Sequence, residues 1–127
     1  MKYKVGHIFD EIYRTNIYFI PKANIPIIKD FVKIQFDSDY EESPRFDGRT
    51  LGFSNGKTID YIIAMRDFNK GIVNLSSLTH ECLHVSLFIL DDHGVDYNGE
   101  NSEQLNYHLQ WLFRKCLECK DFKEYTI

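Results

Sequence analysis

The segment His80-Glu81-Cys82-Leu83-His84 constrains this chain more than any other. It is an H-E-x-x-H inside an apolar run from Leu75 to Leu90, where Leu83, Leu87 and Leu90 recur at helical spacing. A helix turns about 100° per residue, so His80 and His84 project from one face, about one turn apart. Two imidazole nitrogens at that separation can meet one Zn²⁺ at ~2.0–2.1 Å. Glu81 sits beside such a metal without having to bind it, and a carboxylate there can take a proton from metal-bound water. The bland alternative is a helix with incidental histidines on its solvent face.

A catalytic zinc needs a third protein ligand and an open position. His93 and Glu103 are the candidates. His93 lies nine residues after His84. On a continuous helix that is about 900°, the opposite face, and about 13.5 Å along the axis. His93 can bind only if the helix breaks early; otherwise it is a cation near the helix end, beside the Gly94 stop. Glu103 lies nineteen residues after His84, beyond a connection containing Gly94, Asn98 and Gly99 that can reverse the chain. It then falls in the first turn of a second helix and is the better placed of the two. Its plain reading is an acid complementing the helix dipole, as Glu100 also does.

The rest of the chain predicts a frame for this helix pair. Residues 8–20 alternate weakly and suggest one strand ending at Pro21. Asn24 is placed to cap a helix with Ile28, Phe31, Val32 and Phe36 on its apolar side. Residues 37–50 read as a loop. Two β-like segments, Thr50–Phe53 and Thr58–Phe68, are joined by Asn55-Gly56, a tight-hairpin signal. A helix from Leu75 to His93, capped near Asn74, and a second from Asn101 to Lys120 follow, the latter lined by Leu105, Leu109, Leu112 and Cys116. The expected class is α+β: a single domain over residues 1–127, with a small, mostly antiparallel sheet, the H-E-x-x-H helix and a following glutamate helix.

Composition narrows the function. With 127 residues the chain can bury a sizeable core without a metal or disulfide staple. Its 15 basic against 19 acidic residues disfavour a nucleic-acid partner. No apolar run approaches the ~20 residues of a membrane span, and Met1 to His7 carry no signal-peptide core, so no membrane partner is expected. Three cysteines without framework spacing read as reduced thiols, which predicts a cytoplasmic protein.

H-E-x-x-H followed by about twenty residues and a glutamate on a second helix resembles the gluzincins, the thermolysin-like branch of zinc metallopeptidases. The segments Leu78-Thr79-His80-Glu81-Cys82-Leu83-His84 and Ser102-Glu103-Gln104-Leu105-Asn106-Tyr107 also resemble short H-E-x-x-H proteins of tailed phages. The resemblance covers about residues 55–115. It implies a minimal zincin-like fold with a sheet edge that binds peptide, zinc held by His80, His84 and Glu103, and Glu81 as general base. It further implies a protein or peptide substrate in a bacterial or phage-infected cytoplasm. One position departs from the pattern. Four residues after the ligand glutamate the family often has an acid that orients a zinc-bound histidine; here Tyr107 stands there. Its hydroxyl can fill that role or donate to an oxyanion, with His108 as a further donor candidate; plain packing is the other reading. No counterpart of the large second domain of thermolysin is expected.

Several segments carry two readings. The segment Thr58–Phe68 reads either as the peptide-binding edge or as an ordinary core strand. Asp91, Asp92, Asp96 and Glu100 read either as a preference for basic substrates or as a solvated acidic loop. Cys116-Leu117-Glu118-Cys119 lacks a second pair and reads as part of a helical tail. The leading functional expectation is zinc-dependent hydrolysis of a peptide bond in an intracellular protein. The alternative is a non-catalytic, zinc-stabilised binding protein on the same scaffold, such as a phage effector of a host factor. A degenerate site without metal is the third. Oligomeric state is not readable from the sequence.

Overall fold

The structure is a computed structural model and describes residues 1–41, 47–96, 98–100 and 102–127. Its elements in chain order are β1 (Lys2–Asp10), β2 (Thr15–Ile20), α1 (Ile25–Phe36), β3 (Gly48–Ser54), β4 (Ile59–Met65), α2 (Ile72–Asp92), α3 (Ser102–Glu118) and β5 (Phe122–Thr126). The strands form one mixed sheet in the order β3-β4-β2-β1-β5. β2 and β4 pair in parallel; the pairings β1–β2, β1–β5 and β3–β4 are antiparallel. The expected α+β class holds.

Alternation along the strands divides the core into two layers. Ile8, Ile17, Phe19, Tyr61, Ile63 and Met65 face one side and pack with α2 and α3 through Leu78, Cys82, Val85, Ile89, Leu112 and Cys116. Tyr3, Val5, Ile20, Ile62 and Ala64 face the other side and pack with α1 through Ile27, Ile28, Phe31 and Val32. β4 is buried almost throughout because helices cover both its faces and strands flank both its edges. That settles the choice for the segment around Thr58–Phe68: it is a core strand. Among the described residues the free edge beside α2 is β3.

α1 begins where its cap predicts, with the Asn24 side chain accepting a hydrogen bond from the Ile27 amide at 2.9 Å. Asn55 and Gly56 do turn the β3–β4 hairpin, through a four-residue loop in which Asn55 Oδ1 accepts from Lys57 and Thr58 and Gly56 takes φ 93°. At the end of α2, Gly94 takes φ 76°, its amide donates to Asp91 O and the Val95 amide donates to Leu90 O. This is the Schellman arrangement that a glycine stop provides.

Four expectations need correction. The early strand is a hairpin, β1 and β2. Its turn contains no glycine or proline: the Asp10 carboxylate accepts from the Ile12 and Tyr13 amides, and Arg14 takes φ 53°. β3 begins at Gly48, inside the expected loop. α2 opens at Ile72 with Gly71 as its cap, not near Asn74; the Asn69 side chain instead accepts from the Gly71 amide. The C-terminal helix stops at Glu118 and the chain returns as β5 beside β1, so Cys119 lies outside the helix. The expected start of α3 at Asn101, Pro44 in the loop and Tyr97 fall outside the described residues. Among the described residues no helix is long and apolar enough to cross a membrane.

Candidate metal centre

α2 is continuous through the motif, so helical geometry brings the two histidines together. His80 Nε2 and His84 Nε2 lie 3.0 Å apart, with the rings nearly perpendicular. Two nitrogens on one tetrahedral zinc at ~2.0–2.1 Å stand about 3.3 Å apart, so the pair needs a shift of only a few tenths of an ångström to share a metal. The same spacing lets one Nε2–H donate to the other ring's lone pair. His80 is exposed and His84 half-buried.

Glu81 points the other way, against β3. It is 7% exposed. The Thr50 hydroxyl lies 2.9 Å from its Oε1 and 3.2 Å from its backbone carbonyl. Gly48, two residues earlier on the same face of β3, leaves room for the chain of Glu81: a Cβ at Gly48 would stand 2.9 Å from Glu81 Cγ and 3.0 Å from Met65 Sδ. Oε2 makes no hydrogen bond among the described residues, which leaves one carboxylate oxygen held and the other free. Gly48→Ala is therefore expected to push Glu81 from its seat and to destabilise the fold by about 1–3 kcal/mol, as overpacking does. Chemical denaturation checks the second effect, and the side-chain resonances of Glu81 and Thr50 check the first.

Glu103, the third ligand that the resemblance implies, is not placed beside the pair. Glu103 is exposed in the first turn of α3, roughly opposite the buried stripe of Leu105, His108, Leu112 and Cys116. Among the described residues no group of three or more His, Cys, Asp and Glu side chains is placed to hold a metal ion. His93 is the C-cap of an unbroken α2. Its Nδ1–H donates to Ile89 O at 2.8 Å and its ring leans on Tyr13 at 4.9 Å. The early break that His93 requires to become a ligand does not occur.

The two donor candidates on α3 also stand elsewhere. Tyr107 is 66% exposed and lines a groove of about 590 Å³ with Phe9, Ile12 and Trp111, between the β1–β2 turn and α3. His108 is buried with both ring nitrogens engaged. Nε2 lies 2.7 Å from Asp10 Oδ2 and Nδ1 lies 2.7 Å from Ser86 Oγ. The ionised carboxylate only accepts, so Nε2 carries a proton. Burial alone would raise the Asp10 pKa; the bond from His108, the Tyr13 and Ile12 amides and the His108 charge outweigh it, and the net shift is downward.

Serine, histidine and aspartate in contact have the composition of a hydrolytic triad. Ser86, however, is 0% exposed, so no substrate atom reaches its oxygen. The set is a structural clamp that ties α2, α3 and the β1–β2 turn together. No sequence signal pairs Asp10 with His108, which are 98 positions apart. For Gly48 and Thr50 the signal is their spacing of two on a strand, readable only once β3 is known to lie under Glu81.

Comparison with protein-family models, with curated proteins and with solved structures returned no match.

Proposed function

We propose that this chain is a zinc-dependent peptidase in which His80 and His84 hold the metal and Glu81 is the general base. The observation that carries the proposal is the convergence of the two Nε2 atoms at 3.0 Å on one helix face, next to a sheet edge that is unpaired among the described residues. The two imidazoles fit a zinc ion. The carboxylate of Glu103, which the resemblance supplies as third ligand, stands apart, and this reading requires the first turn of α3 to bring it in. Zinc at this site supplies Lewis acidity and a water of lowered pKa.

The chain's own residues supply the rest. Thr50 fixes one oxygen of Glu81 and leaves Oε2 to accept a proton from the attacking water and return it to the leaving amine. Among the described residues β3 has no strand on its outer side, so its backbone groups can receive an extended peptide as an added strand.

The separation of Glu103 from the histidine pair favours a second reading, a zinc-stabilised binding protein that does no chemistry. Glu81→Gln separates the two. A peptidase keeps its zinc and loses turnover; a binding protein keeps full function in the same variant.

A further inference from the structure

The turn between β1 and β2 presents an apolar residue outward. Turns favour glycine, asparagine, aspartate and serine. This one is closed by the Asp10 carboxylate and the positive φ of Arg14, so its geometry makes no demand for Ile12. Ile12 is nevertheless 83% exposed there. With Phe9, Tyr107 and Trp111 it lines the groove of about 590 Å³ between the turn and α3. Three large exposed hydrophobic side chains, Phe9, Ile12 and Tyr107, therefore meet in one place. Apolar exposure gathered in one groove with a polar rim marks a contact surface; scattered singly, it needs no explanation.

The rim carries opposite charges at its two ends. The contact between Asp10 and His108 marks the middle of the groove. Glu11 and Ile12 follow Asp10 into the turn, on one side of that contact. Lys115 lies beyond His108 on α3, about two helical turns or roughly 10.5 Å along the axis. It stands on the other side, because it also lines the neighbouring cavity with His7 and Ile8, which precede Asp10 on β1. Glu11 and Lys115 are both exposed, and among the described residues neither has an ion-pair partner.

We propose that this groove is the interface of a homodimer, its occupant being the same groove of a second copy related by a two-fold axis across its middle. Such a contact is isologous, so the patch must fit itself. This one has the parts. The two-fold axis exchanges the ends of the groove, which sets Glu11 of each copy beside Lys115 of the other. It carries each Ile12 towards Phe9 and Trp111 of the other copy. A partner of one charge sign is repelled at one end of the groove; a second copy is attracted at both. The contact also covers Asp10 and His108 and withdraws their bond further from water. The inference does not depend on the metal.

Sedimentation equilibrium of the whole chain tests this, over about 1–500 µM, a range that brackets the micromolar affinity of a small interface. Wild type is expected to pass from the single-chain mass of 15.1 kDa to twice that mass and no further. Ile12→Asp, Glu11→Lys and Lys115→Glu are each expected to raise the dissociation constant at least about tenfold, since each change occurs twice in the interface. The double variant Glu11→Lys/Lys115→Glu restores the opposed charges and is expected to return to within about threefold of wild type. Ile34→Glu alters an exposed residue of α1, on the far side of the sheet, and is expected to leave association unchanged. All these positions are exposed, and melting curves at the dilute end of the range check that the variants fold. A single-chain mass across the whole range overturns the proposal and leaves the groove to another kind of occupant. Association that survives Ile12→Asp, that Ile34→Glu weakens equally, or that the charge exchange fails to restore overturns it as well.

Discussion

Replacing His108 by leucine is expected to lower the stability of the fold by about 3–5 kcal/mol, the cost of leaving a buried charge without its partner. For a domain of this length that corresponds to a fall in Tm of about 10–20 °C. Asp10 and His108 have side chains only 4% and 7% exposed, and the variant leaves the carboxylate with the Ile12 and Tyr13 amides alone. Ser86 loses its partner at the same time. The double variant Asp10→Asn/His108→Leu removes the buried charge and is expected to recover part of the loss. A single-variant loss below about 1 kcal/mol would show that the clamp is not what joins α3 to the hairpin.

The same clamp sets an acid limit. The folded pKa of Asp10 lies below its ordinary value of 3.8. Its contribution to stability is therefore complete above that value and is lost as pH falls through the folded pKa. Wild type is expected to lose stability on the acid side of the ordinary carboxylate range, and the His108→Leu variant to lose less over the same interval.

The second large effect is on chemistry. If the chain is the peptidase proposed above, Glu81→Gln is expected to reduce peptide hydrolysis by about 10²–10⁴-fold, the range for removal of a general base. The amide is close to isosteric, so Thr50 still has an oxygen to donate to and the seat formed by Gly48 is unchanged. Zinc content and melting temperature are expected to match wild type. A variant with unaltered turnover would remove Glu81 from the reaction. One that also lost zinc would make Glu81 a ligand instead.

The elements read correctly from sequence are those whose signals are local. Asn24 caps α1 through its own side chain, Gly94 ends α2 through its own positive φ, and H-E-x-x-H brings two imidazoles together through the pitch of one helix. The misread elements depend on partners distant in sequence. The β1–β2 turn is made by an aspartate side chain in place of glycine, and that aspartate is held by a histidine on α3. β5 is exposed along most of its length and carries little hydrophobic alternation; its place is set by pairing with β1. Glu103 has the right spacing from His84, but spacing does not fix the rotation of α3. The buried stripe does, and it turns Glu103 outward.

The proposed function depends on a metal held by His80 and His84. Elemental mass spectrometry of the zinc-reconstituted protein tests it most directly, on wild type, His80→Ala/His84→Ala and Glu103→Ala. About one zinc per chain is expected in wild type and almost none in the double histidine variant; a sharp fall in Glu103→Ala is expected only where the first turn of α3 brings Glu103 to the metal. Wild type without zinc, or a double histidine variant that keeps it, would overturn the proposed metal centre.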